Sequence, residues 1–78
     1  MPLQPYSGFP AIKTAIELSK HDLWWETDGE GCRWWAVVSR SASDFDLGHR
    51  DQYAEAEHTS RGGALRLAWQ RYQEKGLV

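Results

Sequence analysis

The sequence predicts an α+β fold: an N-terminal helix, a three-stranded antiparallel sheet and a C-terminal helix, in that order. Three observations carry this. Residues 23–26 (LWWE) and 32–38 (CRWWAVV) are aromatic and β-branched runs on either side of a glycine-containing turn. Residues 52–57 (QYAEAE) alternate apolar and polar, as a half-buried strand does, although their Ala and Glu content would also suit a helix. Leu65, Ala68, Trp69 and Tyr72 recur at i, i+3, i+4 and i+7, the spacing of one helix face.

Each element follows in order. All three prolines lie within residues 1–10, and proline suits neither a helix interior nor a central strand. Residues 1–8 are therefore read as an extended arm and 9–78 as a single domain. Ser7 is a candidate N-cap, and Pro10 is tolerated in a first helical turn. The first helix is expected over 9–20, with Ile12, Ala15 and Ile16 as its apolar stripe, extended by Phe9 and Ser19. Residues 27–31 (TDGEG) supply the hairpin turn. Residues 39–51, rich in Ser and Asp, are read as a long loop. Thr59 or Ser60 caps a last helix over about 60–75. Gly62 and Gly63 weaken its first turn by about 1 kcal/mol each against Ala, which suggests that this turn lies close to the sheet. Gly76 followed by Leu77 resembles a Schellman stop.

The tryptophan pairs Trp24-Trp25 and Trp34-Trp35 constrain the layers. Neighbours on a strand point to opposite faces, so each pair places one indole on each side of the sheet. Both faces are then apolar near the hairpin, and two helices are at hand to cover them, one on each face. Parity and an assumed register put Trp25 and Trp34 beneath the last helix and Trp24 and Trp35 on the other side. So small a chain cannot bury both pairs together with Tyr6, Phe45 and Tyr53. Exposed aromatic surface is therefore expected around Trp24 and Trp35, with Arg33 and Arg40 nearby, and such patches mark interfaces.

Composition excludes several function classes. With 78 residues and five Trp, three Tyr and two Phe, the chain has room for one dense core. Cys32 is the only cysteine. A disulfide-stapled secreted domain is thus ruled against, and a reducing, cytoplasmic setting in a bacterial host is expected. No signal peptide and no membrane span are expected. Nine basic against eleven acidic residues give a formal charge of −2, which disfavours nucleic-acid binding through net charge.

Residues 53–69 (YAEAEHTSRGGALRLAW) run from an Ala-Glu-Ala strand into a Thr-led, Ala-rich helix. Pro5-Tyr6-Ser7, a short helix and a Trp-bearing hairpin precede them. In this order of elements, over roughly residues 5–73, the chain resembles the phage ABA sandwich domain family of small phage and prophage proteins. The resemblance implies a helix, sheet, helix layout and a phage-type origin, and it implies no catalytic residues. Two features depart from the family: Gly62-Gly63 stands where an aliphatic residue is common, and the acidic stretch 43–51 has no counterpart. There is a weaker similarity to HicB-type antitoxin domains, whose Pro-Gly-Cys turn is missing here.

Candidate chemistry is sparse. Asp44, Asp46, His49 and Asp51 are the densest set of metal-ligand types, but the glycine and terminal acid of a calcium loop are not in place, so a solvated acidic loop is the reading taken. His21, His49 and His58 lack the paired spacing of a zinc site. Cys32 opens a strand beside Gly31 and is read as a partly buried structural thiol. Arg61, Arg66 and Arg71 step by about 140° beyond each full turn, so they spread around the helix. No enzyme, no metal and no cofactor is expected. The function expected is a small phage-type accessory protein acting by protein–protein contact, with another protein or with itself. The alternatives are a single-stranded nucleic-acid module using Trp24, Trp35, Arg33 and Arg40 as a stacking platform, and a HicB-like antitoxin or regulator.

Overall fold

The computed structural model describes residues 9–78, with side chains from Lys13 onward. The arm at 1–8, Ser7 as N-cap, and the Tyr6, Phe9 and Ile12 side chains lie outside the described residues. The chain forms helix α1 (Phe9–Lys20), strands β1 (Trp24–Glu30) and β2 (Arg33–Ser39), a short helix α2 (Ala42–Asp46), one 3-10 turn (Arg50–Gln52), strand β3 (Tyr53–His58) and helix α3 (Arg61–Glu74). The sheet is antiparallel in the order β1-β2-β3. Among the described residues, no helix is long and apolar enough to cross a membrane.

α1 ends where His21 and Leu23 both return their N–H groups to the Leu18 carbonyl, with Asp22 between them at φ 59°. Asp is one of the few side chains that tolerate this left-handed conformation. The hairpin turn is shorter than the sequence suggests. Glu30 pairs with Arg33, so only Gly31 and Cys32 make the turn. Gly31 has φ 63°, the first-position glycine of a type II′ hairpin. Residues 27–30, expected in the turn, continue β1 instead. Cys32 is exposed in the turn, not a half-buried thiol opening a strand.

α3 begins at Ser60, whose Oγ accepts from Gly63 N–H at 3.0 Å. Leu65, Ala68, Trp69 and Tyr72 are all buried, as their spacing predicts. They pack on Ala36 and Val38 of β2 and Ala54 and Ala56 of β3. Five buried alanines, Ala64 and Ala68 on the helix and Ala36, Ala54 and Ala56 on the sheet, let the two sit close, and each fully buried Leu or Val adds about 1.5–3 kcal/mol. Gly76 has φ 76° and gives its N–H to the Gln73 carbonyl, which ends the helix.

Two expectations need correction. α1 does not cover the second sheet face. It packs on α3, where Trp69 Nε1 donates to Glu17 Oε1 at 3.1 Å and His21 meets the Trp69 ring at 5.3 Å. Both long helices thus lie on one side of the sheet. The stripe of α1 also differs: Leu18 and Thr14 are buried, and Ile16 is 54% exposed. α1 docks along α3 and the rim of β1 rather than across a sheet, so a different face turns inward.

Candidate interaction face

Alternation along the strands sorts the sheet into two faces. Trp25, Thr27 and Gly29 of β1, Trp34, Ala36 and Val38 of β2, and Ala54, Ala56 and His58 of β3 share the face under α3. Trp24, Glu26, Asp28 and Glu30, then Arg33, Trp35, Val37 and Ser39, then Tyr53, Glu55 and Glu57 share the other. The long helices leave this second face alone. Trp24 and Trp35 fall on it together, as strand parity predicts.

Only α2 reaches it. Phe45 projects from α2 and meets Trp24 at 5.8 Å, Trp35 at 5.6 Å and Tyr53 edge-on at 5.1 Å between ring centroids. One ring therefore touches an aromatic on each strand, and Val37 between them is fully buried. Trp24, Trp35 and Phe45 are each half-buried. The aromatic surface that the sequence places here is capped by a lid of one helical turn and a half, and is not bare.

The lid is held by Asp44, which is only 5% exposed. Ser41 caps α2 by accepting from Asp44 N–H at 3.3 Å. The Asp44 carboxylate accepts from Arg40 Nε at 3.1 Å and from Ser41 Oγ at 3.2 Å, and it lies 3.1 Å from His49 Nδ1. The His49 hydrogen bond does most to hold the Asp44 carboxyl below its ordinary value; burial opposes it, and Arg40 and Ser41 add to the lowering. The stretch read as a solvated acidic loop is thus ordered around a buried acid. Its ligand-type residues do not assemble: among the described residues, no group of three or more His, Cys, Asp or Glu can hold a metal ion.

The two arginines proposed for binding are both engaged. Arg33 Nη2 lies 2.9 Å from Glu57 Oε1 in an exposed pair, and Arg40 Nη2 lies 2.9 Å from Asp44 Oδ2. Trp35 Nε1 donates to Glu55 Oε2 at 3.1 Å. On the strands themselves, Glu26, Asp28, Glu30, Glu55 and Glu57 face outward with Arg33 as the sole base among them. The face is aromatic at its base and acidic toward the hairpin tip. The acidic half, which was not among the candidate residues, is written in the sequence as carboxylates that share the strand parity of Trp24 and Trp35.

No protein-family model, no curated protein and no solved structure matches the chain. The geometry therefore carries the functional argument.

Proposed function

We propose that the chain is a small accessory protein, of the phage type its element order resembles, that acts by protein–protein contact through the Trp24–Phe45–Trp35 face. The observation that carries this reading is the Phe45 lid: three half-buried rings from two strands and α2 sit on the sheet face that neither long helix covers. Half-buried aromatics bring contact area at low entropic cost, which is why they anchor interfaces. The nucleic-acid alternative loses support here. Arg33 and Arg40 are paired with carboxylates, and phosphates would approach an acidic strand surface.

The test uses wild-type protein and Trp24→Ala as baits in host extract, with captured proteins quantified by mass spectrometry. A protein enriched on wild type and lost from the variant, at similar melting temperature, supports the reading. Equal recovery on both overturns it for this face. Binding of a labelled single-stranded oligonucleotide with a steep salt slope would favour the nucleic-acid reading instead.

A further inference from the structure

The two edges of the sheet are finished differently. In a hairpin closed by two residues, the flanking pair Glu30–Arg33 exchanges hydrogen bonds, and so does every second pair after it. The backbone groups of Trp25, Thr27 and Gly29 therefore point away from β2, toward the outer edge of β1. The same count along β2 turns Tyr53, Glu55 and Glu57 outward on β3. Two of the three outward carbonyls on that edge are taken up: Lys75 Nζ donates to the Tyr53 carbonyl at 2.6 Å and Arg71 Nη1 to the Glu55 carbonyl at 3.0 Å. On β1, no side chain among the described residues donates to the outward carbonyls of Trp25, Thr27 or Gly29. Arg61 Nε donates instead to the Thr27 hydroxyl, at 3.0 Å.

An open edge is a template for another strand. The side chains beside it decide which strand fits. Glu26, Asp28 and Glu30 line the edge on the open face, all exposed and all acidic. A second copy pairing antiparallel through β1 would set carboxylate against carboxylate, and like charges directly opposite one another are destabilising. A strand with Lys or Arg at alternate positions meets the opposite situation: every second side chain falls beside a carboxylate.

We propose that β1 is a docking edge for an extended, basic segment of a partner protein, which adds as a fourth strand with alternate Lys or Arg side chains facing Glu26, Asp28 and Glu30. This rests on the protein-contact reading and names the partner's chemistry. Main-chain hydrogen bonds to Thr27 and its neighbours supply affinity, and the carboxylate row supplies the choice of partner. The Trp24–Phe45–Trp35 cluster lies on the same face, where the partner's remaining surface would rest.

The probe is a capped peptide of alternating Lys and Val, titrated into the full chain and followed by amide NMR. The expected result is saturable binding, with exchange protection appearing at Trp25, Thr27 and Gly29 and with affinity falling about tenfold when salt is raised well above physiological. The exposed triple variant Glu26→Lys, Asp28→Lys, Glu30→Lys should lose this peptide and take up an alternating Glu/Val peptide. Thermal melting of the variant checks that it folds, and capture of the acidic peptide shows that its edge is intact. No binding by wild type, equal binding by the charge-reversed variant, protection on another element, or dimerisation through β1 would each overturn the proposal. If wild type keeps a Trp24-dependent protein partner yet ignores the peptide, strand addition fails and the contact reading stands. If peptide and extract both give nothing, both fail.

Discussion

The indole of Trp34 lies over Gly29, its partner across the hairpin: a Cβ built on Gly29 would meet ring atoms Cδ2, Cε2 and Cε3 at 3.0 Å. The absence of a side chain at Gly29 makes the bed on which the outermost tryptophan of the core face rests. Trp34 in turn packs against the cluster beneath α3. Gly29→Ala would force the ring outward, and overpacking of this kind costs about 1–3 kcal/mol. Urea unfolding should show that loss, with a changed near-ultraviolet circular dichroism signal from the displaced indole. Unchanged stability would mean that Trp34 has room to move aside.

Gly63 behaves in a related way at the start of α3. A Cβ there would stand 2.7 Å from Cε1 of His58, and His58 Nδ1 accepts the Ser60 N–H at 3.3 Å. Gly63→Ala should therefore destabilise in wild type, although Ala is the better helix former by about 1 kcal/mol. In a His58→Ala background the obstacle is gone, and the same substitution should stabilise. The change of sign across the double-mutant cycle is the measurement, and equal effects in both backgrounds would refute the close approach.

These two glycines show what was legible in the sequence and what was not. Helix bounds, strand parity, the α3 stripe and the close approach of the first turn of α3 followed from local spacing, which is a short-range property. The hairpin turn was misplaced because Gly29 and Gly31 look alike in sequence; only the indole of Trp34 across the strand distinguishes a flat strand position from a turn. The side of the sheet chosen by α1 depends on its packing against α3, where Glu17 meets Trp69, a long-range matter that its own stripe does not encode. The lid was missed for the opposite reason. Ser41, Asp44 and His49 carry a local signal, an N-cap three residues before an acid, but it sits in an Asp-rich stretch whose composition is that of a solvated loop. The aromatic half of the candidate face was visible through parity, and its acidic half was equally present in Glu26, Asp28, Glu30, Glu55 and Glu57.

The lid should respond to acid through Asp44. Its folded pKa is depressed, chiefly by the His49 hydrogen bond. A depressed acid contributes stability that is fully present above its unfolded value, 3.8, and is lost as pH falls through the folded value. Below pH 3.8, wild type should lose stability more steeply than Asp44→Asn. At neutral pH the variant should melt earlier and show red-shifted, more readily quenched tryptophan fluorescence, because α2 loses its anchor and Phe45 no longer shields Trp24 and Trp35. Identical acid limbs in the two proteins would remove Asp44 from this role.

The surface ion pair at the hairpin tip provides a contrast. Arg33 and Glu57 are each more than half exposed, with side chains 61% and 62% accessible. Exposed pairs are worth about 0–1 kcal/mol. Arg33→Ala should leave the urea midpoint nearly unchanged, whereas Arg33→Glu should lower it modestly, because it sets a carboxylate opposite Glu30 and beside Glu57. A large loss in Arg33→Ala would show that the pair does more than its exposure allows.

Trp24 and Trp35 meet the same ring, and truncating them should nevertheless give different results. Trp35 is on the central strand, donates its indole N–H to Glu55 and flanks fully buried Val37. Removing it opens space beneath Phe45 and leaves Glu55 without its donor. Trp35→Ala should therefore cost about 3 kcal/mol, at the lower end of aromatic truncation in a core because the ring is half-buried. Trp24 sits on the edge strand opposite Ser39, and its one ring neighbour among the described residues is Phe45. Its loss should cost about 1–2 kcal/mol, less than a core aromatic because only part of the ring leaves water. If the face is an interface, the order reverses in binding: Trp24→Ala should weaken association with a captured partner more than its modest effect on melting explains. Paired measurements of melting temperature and affinity on the two variants separate the roles. Parallel losses in both quantities would mean that the two indoles serve only to pack the lid against the sheet.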